Sequence, residues 1–132
     1  VHLLCVKDSN KATDTRPFIA TAAALAALGV ILGAFGAHGL EEKFATVGEK
    51  AAGWWQTAVF YHLIHAVALF ALATRGRNHI SKVAWICLIA GIVLFSGSLY
   101  IMAVTGITKL GMITPLGGLA FIIGWIAIAK KG

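Results

Sequence analysis

Four long apolar runs, at 17–40, 54–74, 83–104 and 112–129, take up most of this chain of 132 residues. Each holds about 18 residues or more, enough to cross ~30 Å of hydrocarbon at ~1.5 Å of rise per residue. The runs predict an all-α fold: a polytopic membrane protein with four transmembrane helices in a compact bundle. Composition agrees. The chain is 59% hydrophobic and 12% charged, with a mean hydropathy of +0.86, whereas a soluble domain is about a quarter charged. Membrane helices also tolerate Gly and Pro better than soluble ones, which suits its 15 Gly and 2 Pro.

Residues 1–16 are polar and mixed in charge and read as a cytoplasmic N-terminal tail, leaving 17–132 as the four-helix transmembrane domain. Thr15 is a candidate cap for the first span, and Pro17 suits its first turn. The run at 17–40 could be mistaken for a signal peptide, but a signal core is usually about 7–15 residues, so a retained span is expected. Cys5 and Cys87 lie far apart, in no CxxC or zinc-finger spacing, so no disulfide is expected. Trp54 and Trp55, at the head of the second run, read as markers of the membrane–water boundary.

Charge orients the bundle. Four spans put the N-terminus, the 75–82 loop and the C-terminus on one side. Of the eleven basic residues, eight fall there: Lys7, Lys11, Arg16, Arg75, Arg77, Lys82, Lys130 and Lys131. Lys43, Lys50 and Lys109 fall opposite. Positive charge marks the cytoplasmic face, so both termini are expected inside. The formal charge of +6 is thereby accounted for as a topology signal. No basic stripe with interleaved aromatics and no reader motif points to nucleic acid.

The second run contains FYHLIHAVALF at 60–70. His62 lies roughly 12 Å from Trp54 along a helix and His65 roughly 16 Å, near mid-membrane, both on one face. A polar side chain at that depth turns into the bundle and finds a partner. Candidates are Ser96, Ser98 and Tyr100 in LFSGSLY (94–100), His38 at the end of span one, and Thr114 at the start of span four. These seven residues form the expected structural polar cluster, with His65 bonding to a neighbouring backbone or hydroxyl and the Ser96–Tyr100 stretch the leading candidate. Gly29, Gly33 and Gly36 share one face, and Gly91, Gly97, Gly117, Gly118 and Gly124 serve the other spans, as small residues allow close helix approach.

Three histidines could suggest a metal, since imidazole suits Zn, Cu, Ni and Fe. But no carboxylate joins them within a span and no HExxH is present, so hydrogen-bonded structural histidines are favoured over metal, haem or proton-handling roles. The hydroxyls could line a path, but packing and back-bonding to carbonyls are commoner. No GxSxG elbow is present, and no Asp or Glu lies inside a span. Glu41, Glu42 and Glu49 read as a solvated outer connector, and Arg75, Arg77 and Lys82 as ordinary inner-loop charges for which anionic-lipid contact is unremarkable. Trp85 and Trp125 read as interfacial or packing residues.

GAFGAHGL (33–40), WWQTAVFYHLIHA (54–66), LFSGSLY (94–100) and TPLGGLAFIIGW (114–125) together resemble the YgdD-like family: small inner-membrane proteins grouped as domain of unknown function 423, with a eukaryotic transmembrane relative. The resemblance spans about residues 18–128. It matches His38 to the family's Gly-Ala-His, His65 to its second-helix histidine and Ser96 to Tyr100 to its Ser-Gly-Ser-Leu-Tyr, and it puts His62 where relatives can carry glutamine. It implies fold and a location in the inner (plasma) membrane but no reaction. The expectation is therefore a non-enzymatic membrane component without cofactor, surrounded by lipid and packing with a larger membrane complex or with itself. A small conduit or carrier using the polar cluster is the alternative, and a metal- or quinone-linked redox accessory stands behind both.

Overall fold

Pro17 opens the first long helix, α1 (Arg16–His38), where its missing N–H costs nothing. The computed structural model describes residues 14–131, so Cys5 and nearly all of the 1–16 tail lie outside the described residues. The expected Thr15 cap does not form; the Asp14 carboxylate takes the Arg16 backbone N–H at 3.0 Å instead. It also pairs with the Arg16 guanidinium, which holds the Asp14 carboxyl below the usual carboxylate range.

A short helix, α2 (Glu41–Val47), fills part of the first connector. The second span, α3 (Ala51–Ala73), starts three residues ahead of the Trp54 boundary read from sequence. A 3₁₀ turn (Arg77–His79) then leads to α4 (Lys82–Gly91), whose first turn is capped by the Ser81 hydroxyl accepting from Ala84 N–H at 3.3 Å. The third span continues through a π turn (Ile92–Ser96) into α5 (Gly97–Thr105). It ends at Gly106, whose φ of 73° is the left-handed stop that glycine accepts without strain. A second 3₁₀ turn (Thr108–Met112) precedes α6 (Thr114–Lys131).

Four helical stretches, Arg16–His38, Ala51–Ala73, Lys82–Thr105 and Thr108–Lys131, are long and apolar enough to cross a membrane. The protein is an all-α membrane protein. Packing follows chain order: α1 lies on α3, α3 on the third span, and the third span on α6. The two middle spans are the more buried, whereas α1 and α6 turn most of their length outward. Large side chains such as Val30, Val67, Ile86, Val93 and Ile122 point away from the bundle, as lipid-facing residues do.

Two apolar clusters hold the ends. Ala22, Leu69, Leu72, Ala84, Leu88, Ile92 and Phe121 pack at the end carrying the basic 75–82 loop. Phe44, Ala51, Trp55 and Ala103 pack at the other. His62 and Ser96, both almost fully buried, belong to neither.

Candidate functional site

His62 projects from α3 toward both of its neighbours. Its Nε2 lies 2.8 Å from the Leu25 carbonyl of α1 and its Nδ1 lies 2.9 Å from the Tyr100 hydroxyl of α5. A carbonyl can only accept, so Nε2 carries the proton, and a neutral ring then accepts the Tyr100 O–H at Nδ1. One side chain thus ties three spans.

His65 faces α6. Its Nδ1–H donates to the Tyr61 carbonyl one turn back, at 2.7 Å, and its Nε2 accepts the Trp125 indole N–H at 3.1 Å. Indole only donates, which fixes His65 as a neutral imidazole of one tautomer. The ring stacks on Phe121 with centroids 3.6 Å apart and meets Trp125 edge-on at 5.9 Å. The expected Ser96–Tyr100 partner is therefore corrected. That stretch serves His62 and α3, whereas His65 is bonded to span four, because α6 packs beside it.

The hydroxyls divide into two further contacts. Ser96, in the π turn, is fully buried and donates to the Ala58 carbonyl of α3 at 2.8 Å. Ser98 donates to Phe95 O at 2.9 Å and lies 2.6 Å from the Thr114 hydroxyl, which joins α5 to α6. No buried side-chain N or O among the described residues lacks a hydrogen-bond partner.

His38 is not brought to this cluster. It sits exposed at the end of α1, and its imidazole makes no hydrogen bond among the described residues. No group of three His, Cys, Asp or Glu side chains among the described residues is placed to hold a metal.

The glycines also separate. A methyl group on Gly29 would come within 2.6 Å of Leu63, and one on Gly33 within 3.3 Å of Val59. One on Gly36 would strike the Trp55 indole, and one on Gly117 the Phe95 backbone nitrogen. Gly97 meets nothing within 4 Å and Gly118 only the Phe95 ring at 3.8 Å, so neither marks a close approach. Gly91 against Phe121 and Gly124 against Leu88 do.

Sequence reasoning placed Trp55 at the boundary, and the structure turns it inward instead. Its N–H donates to the Leu32 carbonyl at 2.8 Å, and its ring packs edge-on to Tyr100 with centroids 4.7 Å apart. Trp125 and Phe121 were missed as partners of His65. Their i,i+4 spacing, matching that of Tyr61 and His65, was the one available signal.

A family model described as "Protein of unknown function (DUF423)" matches residues 32–118, which include α3, the third span and the start of α6. The chain belongs to this family. It is 52% identical over 116 residues to the membrane protein YwdK of Bacillus subtilis, covering 84% of this chain and 91% of that one. It is 38% identical over 115 residues to the inner membrane protein YgdD of Escherichia coli, covering 78% and 84%. A membrane protein of Haemophilus influenzae is 39% identical over 102 residues, covering 76% and 80%. No solved structure matches the chain.

Proposed function

We propose that this protein is a structural component of the cell membrane: a small bundle, both termini cytoplasmic, that packs with a larger membrane complex or with copies of itself and carries out no catalysis. One observation carries the reading. The buried polar side chains inside the spans are spent on joining helices, through His62 to Leu25 and Tyr100, His65 to Trp125, Ser96 to Ala58, and Ser98 to Thr114. A conduit needs a continuous polar path. These contacts instead form separate groups, most of them closed on a backbone carbonyl, which favours packing over transport. The outward faces of α1 and α6 supply the surface for partner or lipid.

The test is extraction in a mild detergent followed by native mass spectrometry. A species heavier than the 13.9 kDa chain with its bound lipid is expected, either a defined oligomer or a complex with named subunits. A monomer that conducts a tracer into liposomes would replace this reading with the conduit.

A further inference from the structure

The end of the bundle carrying the 75–82 loop holds a cavity of about 740 Å³ that the polar cluster does not use. Its rim carries three cations: Arg77 from the 3₁₀ turn, Lys82 from the first turn of α4 and Lys131 from the last turn of α6. Its wall is apolar and aromatic, formed by Phe18 of α1 with Trp85 and Ile86 of α4. Among the described residues, no acidic side chain lines it. Asp14, near this end of α1, is held by the Arg16 guanidinium at 3.0 Å.

The cations are positioned by the fold. Lys131 Nζ donates to the Ile80 carbonyl at 3.3 Å, which holds the end of α6 over the loop and leaves further ammonium protons for another acceptor. Arg77 lies 6.0 Å from the Phe18 ring centroid, and Phe18 in turn packs edge-on against Trp85 at 5.0 Å. The α4 N-terminus adds its dipole, and Ser81 satisfies only the Ala84 N–H there. Ile86 is 63% exposed on the outer side of α4, so the apolar wall opens sideways toward acyl chains. A cavity with cations at its polar end and an apolar wall open to the bilayer fits a phosphate that carries hydrocarbon.

We infer that this cavity binds one anionic glycerophospholipid, its phosphate seated among Arg77, Lys82 and Lys131 and its acyl chain lying along Trp85 and Ile86. The lipid would join the ends of α1, α4 and α6, which no side-chain bond of the polar cluster does at this end. Basic pockets between transmembrane helices bind such head groups. The site is one cavity with a stoichiometry of one, which separates it from the diffuse attraction of a basic loop for an anionic surface.

Native mass spectrometry of the full chain in detergent tests this, with dioleoylphosphatidylglycerol, dioleoylphosphatidylcholine and chain-free glycerophosphoglycerol titrated separately. One phosphatidylglycerol should bind ahead of any second, and ahead of phosphatidylcholine. Lys82→Gln and Lys131→Gln should each weaken that first binding about five-fold, the equivalent of ~1 kcal/mol per basic residue near the surface. Lys109→Gln, at the opposite end, should leave it unchanged. Because each affinity is read from folded protein, a variant of lower stability does not mimic the result. Equal binding of phosphatidylcholine, or wild-type affinity in both lysine variants, would overturn the site. Binding of glycerophosphoglycerol as tight as that of the lipid would overturn the lipid as its occupant.

Discussion

Replacing His62 with leucine removes two cross-span bonds with unequal consequences. The Leu25 carbonyl keeps its own helical partner, so losing that bond costs about 0.6 kcal/mol, the average for membrane helices. The Tyr100 hydroxyl, otherwise bonded only to His62 at 2.9 Å, is left without an acceptor inside the bundle. An orphaned buried group costs roughly 1–3 kcal/mol. His62→Leu should therefore destabilise by about 1.5–3.5 kcal/mol. Tyr100→Phe should cost about 1–3 kcal/mol by orphaning His62 Nδ1 in the same way. The double variant leaves no orphan, so its cost should fall short of the sum by about 1 kcal/mol or more. That gap exceeds the ~0.3–0.5 kcal/mol scatter of independent sites. Unfolding by SDS in mixed micelles, followed by far-UV circular dichroism, measures all four corners of the cycle. Tyr100→Phe combined with Trp125→Phe, residues that share no hydrogen-bond partner, is the additive control. Additivity of His62→Leu with Tyr100→Phe would refute the assignment of His62 as the tie between α3 and α5. His62→Gln retains a donor and an acceptor on one amide and should lose less than half of what leucine loses.

Gly117→Ala should cost about 1–3 kcal/mol in the same assay, since its methyl meets the Phe95 backbone, which cannot rotate away; Gly97→Ala, which meets nothing, should be neutral or mildly stabilising, and equal effects would undo the packing argument. His65→Asp should lower stability more than His65→Leu, because leucine removes a polar group while aspartate adds one that costs roughly 2.5–3.5 kcal/mol at a helix centre; the reverse order would show that His65 is not enclosed as described. The proposed orientation, with both termini cytoplasmic, predicts that a membrane-impermeant maleimide labels Cys5 only after permeabilisation, and labelling in intact cells would reverse it.

The spans were legible because each is a long apolar run with charged ends, a property of composition that survives any detail of packing. The helix ends were less so. Span two begins at Ala51 rather than at the tryptophans, and Trp55 belongs to the core and donates to Leu32 O; nothing local in the Trp54-Trp55 pair separates the interfacial ring from the buried one. The π turn at Ile92–Ser96 had no sequence signal, being set by what lies across from it: Gly117 on the Phe95 backbone and Ala58 O on the Ser96 hydroxyl. The cross-span partner of His65 follows from packing, since α6 brings the Trp125 indole to its Nε2. Sequence marks donors by residue type, but several acceptors here are backbone carbonyls of Leu25, Leu32, Ala58 and Tyr61, and an apolar letter carries no sign that its carbonyl is used.

That asymmetry between donors and acceptors makes a prediction of its own. Where a side chain donates to a backbone carbonyl, the bond depends on the identity of the donor and not on the side chain of the acceptor. Ser96→Ala deletes the hydroxyl at a fully buried position and leaves Ala58 O with its helical partner, so no orphan is created. The expected loss is about 0.6 kcal/mol and at most ~1.7 kcal/mol. Trp55→Phe likewise deletes the N–H that reaches Leu32 O while keeping a ring against Phe44 and Tyr100, and should fall in the same range with a small added cost for the narrower ring. At the acceptors, Leu25→Met and Leu32→Met conserve volume and keep the carbonyl, so neither should lose the bond. The bonds themselves can be read apart from stability, by the imidazole and indole N–H resonances of His62 and Trp55 in micelles. Both resonances should persist in the methionine variants, and the Trp55 signal should vanish only with the donor. Loss of the Trp55 resonance in Leu32→Met, with the fold retained, would show that the acceptor side chain positions the bond and that donors alone do not specify how these spans meet.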